Sequence, residues 1–210
     1  MESISSREMY DIEEKAHNMG IKRILMMENA GCCIARFILQ NFDINNKSIV
    51  AIAGSGNNGG DALVATRHLA RYTKPIVLLL GKESIKTEEA KINLSIVEKI
   101  DKIRLIDIKW INKEVNDIII NADIIIDGIF GIGVKGKIKE PQATIIDLIN
   151  SSDAYKIAVD IPSGLDPDNG QVLDKCVKAN TTITFHKMKH GLVNSIYAGK
   201  VIVCDIGIPF

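Results

Sequence analysis

The sequence predicts an α/β fold: a doubly wound, mostly parallel sheet with helices on both faces. Three observations carry this. Strand-length apolar runs alternate with helical stretches along all 210 residues. The run Ile49-Val50-Ala51-Ile52-Ala53 is continuous instead of alternating, which suits a strand buried on both faces of a parallel sheet. Strand ends carry turns rich in Gly, Asp and Asn, where an open parallel sheet places its ligand crevice.

Met9, Ile12 and Ala16 stand at helical spacing in a polar stretch, predicting a first amphipathic helix from Ser5 to Asn18 that ends near Gly20. A second helix runs from Ile24 to Asn41, with Leu25, Ala30, Ile34, Ala35, Ile38 and Leu39 on one face. The first strand, Ile49 to Ala53, leads into the loop A-G-S-G-N-N-G-G-D-A and a helix from Ala62 to Tyr72. A second strand covers Pro75 to Leu80, closed by Gly81, and a helix covers Lys86 to Lys99. Ile103 to Ile106 is a short third strand, and Asp107 to Asn116 a short helix. The fourth strand, Ala122 to Ile126, ends on Asp127 and opens a second glycine-rich loop, Gly128 to Gly136. Pro141 suits the first turn of a helix over Gln142 to Asn150. A fifth strand, Lys156 to Val159, ends on Asp160 and the turn Pro162-Ser163-Gly164. Ala179 to Phe185 and Val201 to Cys204 are the last strands. No repeat, low-complexity segment or linker interrupts the pattern, so residues 1–210 are read as one domain.

Lys plus Arg and Asp plus Glu number 26 each, for zero formal net charge. That balance gives no support to a nucleic-acid partner. No apolar run reaches the ~20 residues of a membrane span. The first residues lack the apolar core of a signal peptide, so a cytoplasmic protein is expected. Cys32, Cys33, Cys176 and Cys204 have no C-x-x-C spacing and are read as free thiols.

The positions of three carboxylates point to the function. Asp61 closes the loop after the first strand, Asp127 the fourth strand and Asp160 the fifth. One aspartate at a strand end is commonly a helix N-cap; three beside glycine-rich turns converge on one sheet edge. The first loop suits a phosphate, because glycines allow close backbone approach and a helix start favours anions. Asn57, Asn58 and Asp61 add side chains that a plain phosphate cradle does not need. The oxygens of Asn58, Asp127 and Ser163 suit an alkali or alkaline-earth cation, and no cysteine–histidine cluster with zinc spacing occurs. Lys135, in the second loop, is a candidate phosphate contact or proton donor. Gly131 to Gly136 has the form G-x-G-x-x-G but follows the fourth strand, and no acidic residue ends the second. An NAD-dependent dehydrogenase is therefore disfavoured. His186 and His190 are the histidines that could approach the site from the sixth strand.

Together A-G-S-G-N-N-G-G-D (53–61), D-G-I-F-G-I-G-V-K-G (127–136) and V-D-I-P-S-G-L-D (159–166) resemble the NAD(P)H-hydrate epimerase family, the YjeF N-terminal domain. Leu25 to Gly31 resembles the family's L-M-E-N-A-G helix start with one extra methionine, and Gly199 to Pro209 resembles its ending. The resemblance implies a Rossmann-like three-layer αβα sandwich, usually a homodimer. It implies interconversion of the R and S forms of NADHX and NADPHX, hydrated at ring carbon 6 of the nicotinamide. It implies a potassium ion (K+) on Asn58, Asp127 and Ser163. The nucleotide would contact Asn57, Asn58, Gly59, Gly60 and Asp61; Gly131, Ile132, Gly133, Val134, Lys135, Gly136 and Lys137; and Asp160. Ala62 stands where the family usually has glycine, and Phe185 to Leu192 departs from the small and proline residues common there. The dehydratase domain often fused behind this one is not expected, so a separate NAD(P)HX dehydratase is the expected partner. For the proton transfer that inversion requires, Asp127 is the first candidate, with Lys135 or Asp160 second. The alternative is a non-catalytic nucleotide-binding or dimerisation module of the same fold.

Overall fold

The computed structural model describes residues 3–131, 136–172 and 174–210. Its centre is a seven-stranded sheet of β2 (Ile49–Ala53), β3 (Ile76–Leu79), β4 (Arg104–Asp107), β5 (Ile124–Gly128), β6 (Tyr155–Val159), β7 (Thr181–Phe185) and β9 (Lys200–Cys204). Strand order is β4-β3-β2-β5-β6-β7-β9, and every pair is parallel. The chain winds outward from β2 to β4, then returns to the other side of β2 as β5. The C-terminal ends of β2 and β5 thus flank the point where winding reverses, which is where doubly wound sheets hold ligands.

Helices α1 (Ser6–Asn18), α2 (Arg23–Asn41), α3 (Asn57–Leu69) and α4 (Glu88–Val97) cover one face, and α5 (Lys113–Ile120) and α6 (Gln142–Ser151) the other. Alternate residues of one strand feed the two cores. Ile49, Ala51 and Ala53 pack with Met26, Ile34 and Leu63, while Val50 and Ile52 pack with Ile119, Ile145 and Ile149. All five β2 residues are buried, as the unbroken apolar run predicts.

Three expectations need correction, and two strands were not foreseen. Helix α3 begins at Asn57, not Ala62, so Asn57 to Asp61 form its first turn and a half. Glycine is a poor helix former, but here the turn sits against the strand end: a Cβ on Gly59 would lie 2.0 Å from the Gly54 carbonyl oxygen. The helix expected at Asp107 to Asn116 is Lys113–Ile120, because β4 runs through Asp107 and the Asn112 side chain caps the helix at the Val115 N–H. Two short strands, β1 (Ser3–Ile4) and β8 (Met188–Lys189), pair in parallel beside the main sheet. Cys33 and Cys204 are paired as a disulfide with Cα atoms 6.6 Å apart, so the free-thiol expectation holds only for Cys32 and Cys176.

Candidate active site

The site forms where the ends of β2, β5 and β6 meet. The Gly54 N–H donates to the Gly128 carbonyl at 2.9 Å, holding the first two loops together. Their approach excludes side chains: a Cβ on Gly54 would lie 1.9 Å from the Ile129 carbonyl oxygen. Asn58, on the first turn of α3, donates from Nδ2 to the Val159 carbonyl at the end of β6. Its Oδ1 is turned to the second loop, where a Cβ on Gly131 would come within 2.3 Å.

Asp127 lies inside β5 with no exposed surface. Its Oδ1 accepts from the Ser163 hydroxyl at 2.6 Å and the Ile129 N–H at 3.3 Å, and its Oδ2 from the Ser163 N–H at 2.9 Å. Burial pushes its pKa up to about 6, against the opposing pull of the Ser163 and Ile129 bonds. The Ser163 hydroxyl also accepts from the Phe130 N–H at 2.9 Å. Asn58 Oδ1, the Asp127 carboxylate and the Ser163 oxygens are thus hard donors carrying one negative charge, and they fit a cation of low charge.

Asp160 sits at the end of β6 in the left-handed region, φ 63°, a backbone state that β and α elements avoid. Its Oδ1 accepts from the Thr184 hydroxyl at 3.0 Å, the Phe185 N–H at 3.1 Å and the Lys189 ammonium. Lys189 is 1% exposed and also donates to the Phe185 carbonyl at 3.0 Å. The ion pair therefore ties β6 to β7 and β8 beneath the site.

Asp61 differs from both. It is 6% exposed, and among the described residues no hydrogen-bond donor reaches its carboxyl. Burial, then the charges of Asp160 and Glu13, push its pKa well above the ordinary carboxylate value. A cavity opens against it, lined by Glu13 and Arg23, by Met26 and Met27 of α2, and by Asn57 and Phe185. Burial, then the charge of Asp160, also pushes Glu13 up, to about 7.

The structure thus brings Asn57, Asn58, Gly59, Gly60, Asp61, Asp127, Gly131, Asp160 and Ser163 to one sheet edge. Ile132, Gly133, Val134 and Lys135 lie outside the described residues; Gly136 and Lys137 are exposed, in a bend. His186 and His190 do not line the cavity. His190 is held by Ser3 through a 2.8 Å contact from Nδ1. Sequence reasoning missed Glu13 and Lys189. A signal for Glu13 was present: it stands four residues after Met9 and three before Ala16, on the inward stripe of α1. Lys189 carried none, because only the fold buries it.

The model of the family described as "YjeF-related protein N-terminus" matches residues 23–191. The chain is 43% identical to a protein of Nitrosopumilus maritimus named NAD(P)H-hydrate epimerase, covering 98% of this chain and 95% of that one. It is 46% identical to a protein of the same name from Cenarchaeum symbiosum, at the same coverage. Against a bifunctional NAD(P)H-hydrate repair enzyme of Archaeoglobus fulgidus it is 44% identical, but it spans only 42% of that longer protein. Among solved structures, yeast ynu0 superposes with a TM-score of 0.85 at 23% identity, covering 100% of this chain and 90% of that one, which shows a shared fold.

Proposed function

The chain belongs to the YjeF-related N-terminal family, and on that premise we propose that it is an NAD(P)H-hydrate epimerase, interconverting the R and S forms of NADHX and NADPHX. One observation carries this: identity of 43% and 46% over nearly the full length of two proteins named as that epimerase. The clustered oxygens of Asn58, Asp127 and Ser163 add support, as does Asp61, whose carboxyl accepts no hydrogen bond from a described residue. A non-catalytic binding module has no use for a carboxylic acid buried against an open cavity.

We assign the nucleotide to the cleft between the first turn of α3 and the second glycine-rich loop. The N–H groups of Asn57, Asn58 and Gly59 begin a helix and lack intrahelical partners, which favours phosphate oxygens there. Gly131 to Lys137 would contact the same phosphates, with Lys135 supplying charge. Asn58, Asp127 and Ser163 would hold K+. Bound potassium would supply a fixed positive charge that keeps Asp127 ionised and orients the anionic part of the substrate. With its oxygens already accepting three hydrogen bonds, Asp127 suits this anchoring role better than proton transfer; Asp160, tied to Lys189, suits positioning.

The reacting end of the nucleotide would enter the cavity beside Asp61. Inversion at carbon 6 breaks the C–O bond as the ring nitrogen lone pair forms an iminium, and water then adds to the opposite face. This needs a group that gives a proton and one that takes it. We further propose a homodimer; exposed Tyr10, Met19, Leu25 and Leu39 on and beside α1 and α2 favour those helices as part of the contact. Among the described residues no helix is long and apolar enough to cross a membrane, and the substrate class favours a cytoplasmic setting. A dehydratase activity would consume the S form.

The test supplies purified protein with the R form of NADHX and follows the S form through a stereospecific dehydratase. Acceleration over the spontaneous rate is expected, and its absence would sink the activity. The cation site has its own readout. Exchanging lithium chloride for potassium chloride should raise the melting temperature, and Asn58→Ala and Ser163→Ala should lose that increment.

A further inference from the structure

Two carboxyl groups face one cavity from different helices, and neither is bonded to another described residue. Asp61 projects from α3 and Glu13 from α1, and both line the cavity with Asn57, Met26, Met27 and Phe185. Neither carboxyl makes a hydrogen bond to any described residue. Of the acids around them, Glu14 pairs with Arg23, Asp160 with Lys189 and Asp127 with Ser163, while Glu89 of α4, half-buried, is a further lining residue of the cavity. An unpartnered carboxyl that is nine-tenths buried is costly. Here it is aimed into space that a ligand can fill.

We propose that Glu13 and Asp61 are the proton-transferring pair of the site, one serving each face of the reacting carbon. The proposal rests on the epimerase reading. Inversion by loss and return of water needs an acid on the face that the hydroxyl leaves and a base on the face that water attacks. In one direction the Asp61 carboxylic acid gives its proton to the departing hydroxyl, the carbon 6–oxygen bond breaks, and the ring nitrogen lone pair forms the iminium. A water on the opposite face then bonds to carbon 6, returns the electron pair to nitrogen and loses its proton to the Glu13 carboxylate. One water leaves, one enters, and the proton has moved from Asp61 to Glu13. The reverse direction uses the same two groups with roles exchanged.

Passing one proton between two carboxyl groups suits acids raised above the ordinary carboxylate range, and burial raises both of these. Asp160, just past β6, raises both groups, and Glu13 raises Asp61 further; Lys189 of β8 opposes for both, and Arg23 of α2 opposes for Glu13. The mostly apolar wall of Met26, Met27 and Phe185 keeps bulk water from competing.

The test measures kcat, KM and the kcat–pH profile for wild type, Glu13→Gln, Asp61→Asn and Glu13→Asp. Glu13→Gln and Asp61→Asn should each lower kcat by about 100-fold or more, the usual scale of general acid–base catalysis. KM should stay within about threefold, and the wild-type pH dependence near neutrality should flatten. Glu13→Asp should recover part of kcat with the pH dependence restored. A Glu13→Gln enzyme with kcat within about threefold of wild type and an unchanged profile overturns the pair. So does a loss confined to KM. Melting temperatures separate chemistry from folding; should Glu13→Gln melt early, Glu13→Asp decides, and wild-type kcat with a wild-type profile in that shortened acid also overturns the pair. A wild type that leaves the R form at its spontaneous rate overturns the activity itself.

Discussion

Lys189 shows how much one residue can depend on the rest of the molecule. Its ammonium is buried to 1% exposure against Asp160. Removing one member of a buried pair leaves an uncompensated charge, so Lys189→Met should cost roughly 3–5 kcal/mol of stability. Urea unfolding of Lys189→Met, Asp160→Asn and the double variant checks this: the double variant should lose less than the sum of the two. Lysine is almost never fully buried unless paired, and the segment His186-Lys187-Met188-Lys189-His190 reads as a polar turn. Its partner was 29 residues away, so nothing local revealed it. Asp127 and Ser163 were legible for the opposite reason. Each follows an apolar run that had to be a strand, so each had to lie at the ligand edge of the sheet. What the strand pattern could not convey was that the Ser163 N–H and hydroxyl saturate the Asp127 carboxylate.

Among elements, the N-terminal segment acts as a strap over the site. β1 pairs with β8, setting Ser3 beside Met188 and Ile4 beside Lys189. Ser5 and Glu8 then form a capping box that starts α1. Ser6 fixes the other side, its N–H and hydroxyl both donating to Asp168 at 2.6 Å. Those bonds hold the Asp168 carboxyl below its ordinary value. Removing residues 1–5 should therefore loosen β8, and amide exchange at 186–190 should rise while the core strands β2 and β5 stay protected. Unchanged exchange at 186–190 would show that Lys189 alone holds the segment. The strap lay outside the reach of sequence patterning because two-residue strands have no period to detect. The start of α3 was misjudged for a related reason: local propensity argues for a loop at Asn-Asn-Gly-Gly, and tertiary contact with the end of β2 overrides it.

At the scale of the whole molecule, the burial of acids sets the pH dependence of stability. Asp61 and Glu13 are both raised by burial, Glu13 to about 7 from an ordinary 4.5. Between those two values the folded protein holds a proton that the unfolded chain has released, so stability falls as pH rises through that window. The exposed acids Asp123 and Asp168 are lowered, and their contribution is lost only as pH falls through the acid range. The expected outcome is a melting temperature that declines from about pH 5 to about pH 8, measured at constant ionic strength. Glu13→Gln should flatten that decline and melt higher than wild type at the alkaline end. A wild-type melting temperature that rises across the window would contradict the placement of Glu13 against buried acids.

The sequence by itself determined the fold class, the order of the strands along the chain and the edge of the sheet where chemistry lies. It could do so because burial on two faces demands unbroken apolar runs, and because glycine and aspartate at strand ends answer to local backbone geometry. Asn57 to Asp61, Asp127, Asp160 and Ser163 were all found this way. Only the tertiary structure decided which of these acids are spent and which are free. That depends on partners brought from other elements: Ser163 to Asp127, Lys189 to Asp160, and Glu13 from the first helix to the cavity beside Asp61. A carboxyl's protonation follows from its desolvation and its neighbours' charges, and both are properties of the packed molecule, not of the residues flanking it in the chain.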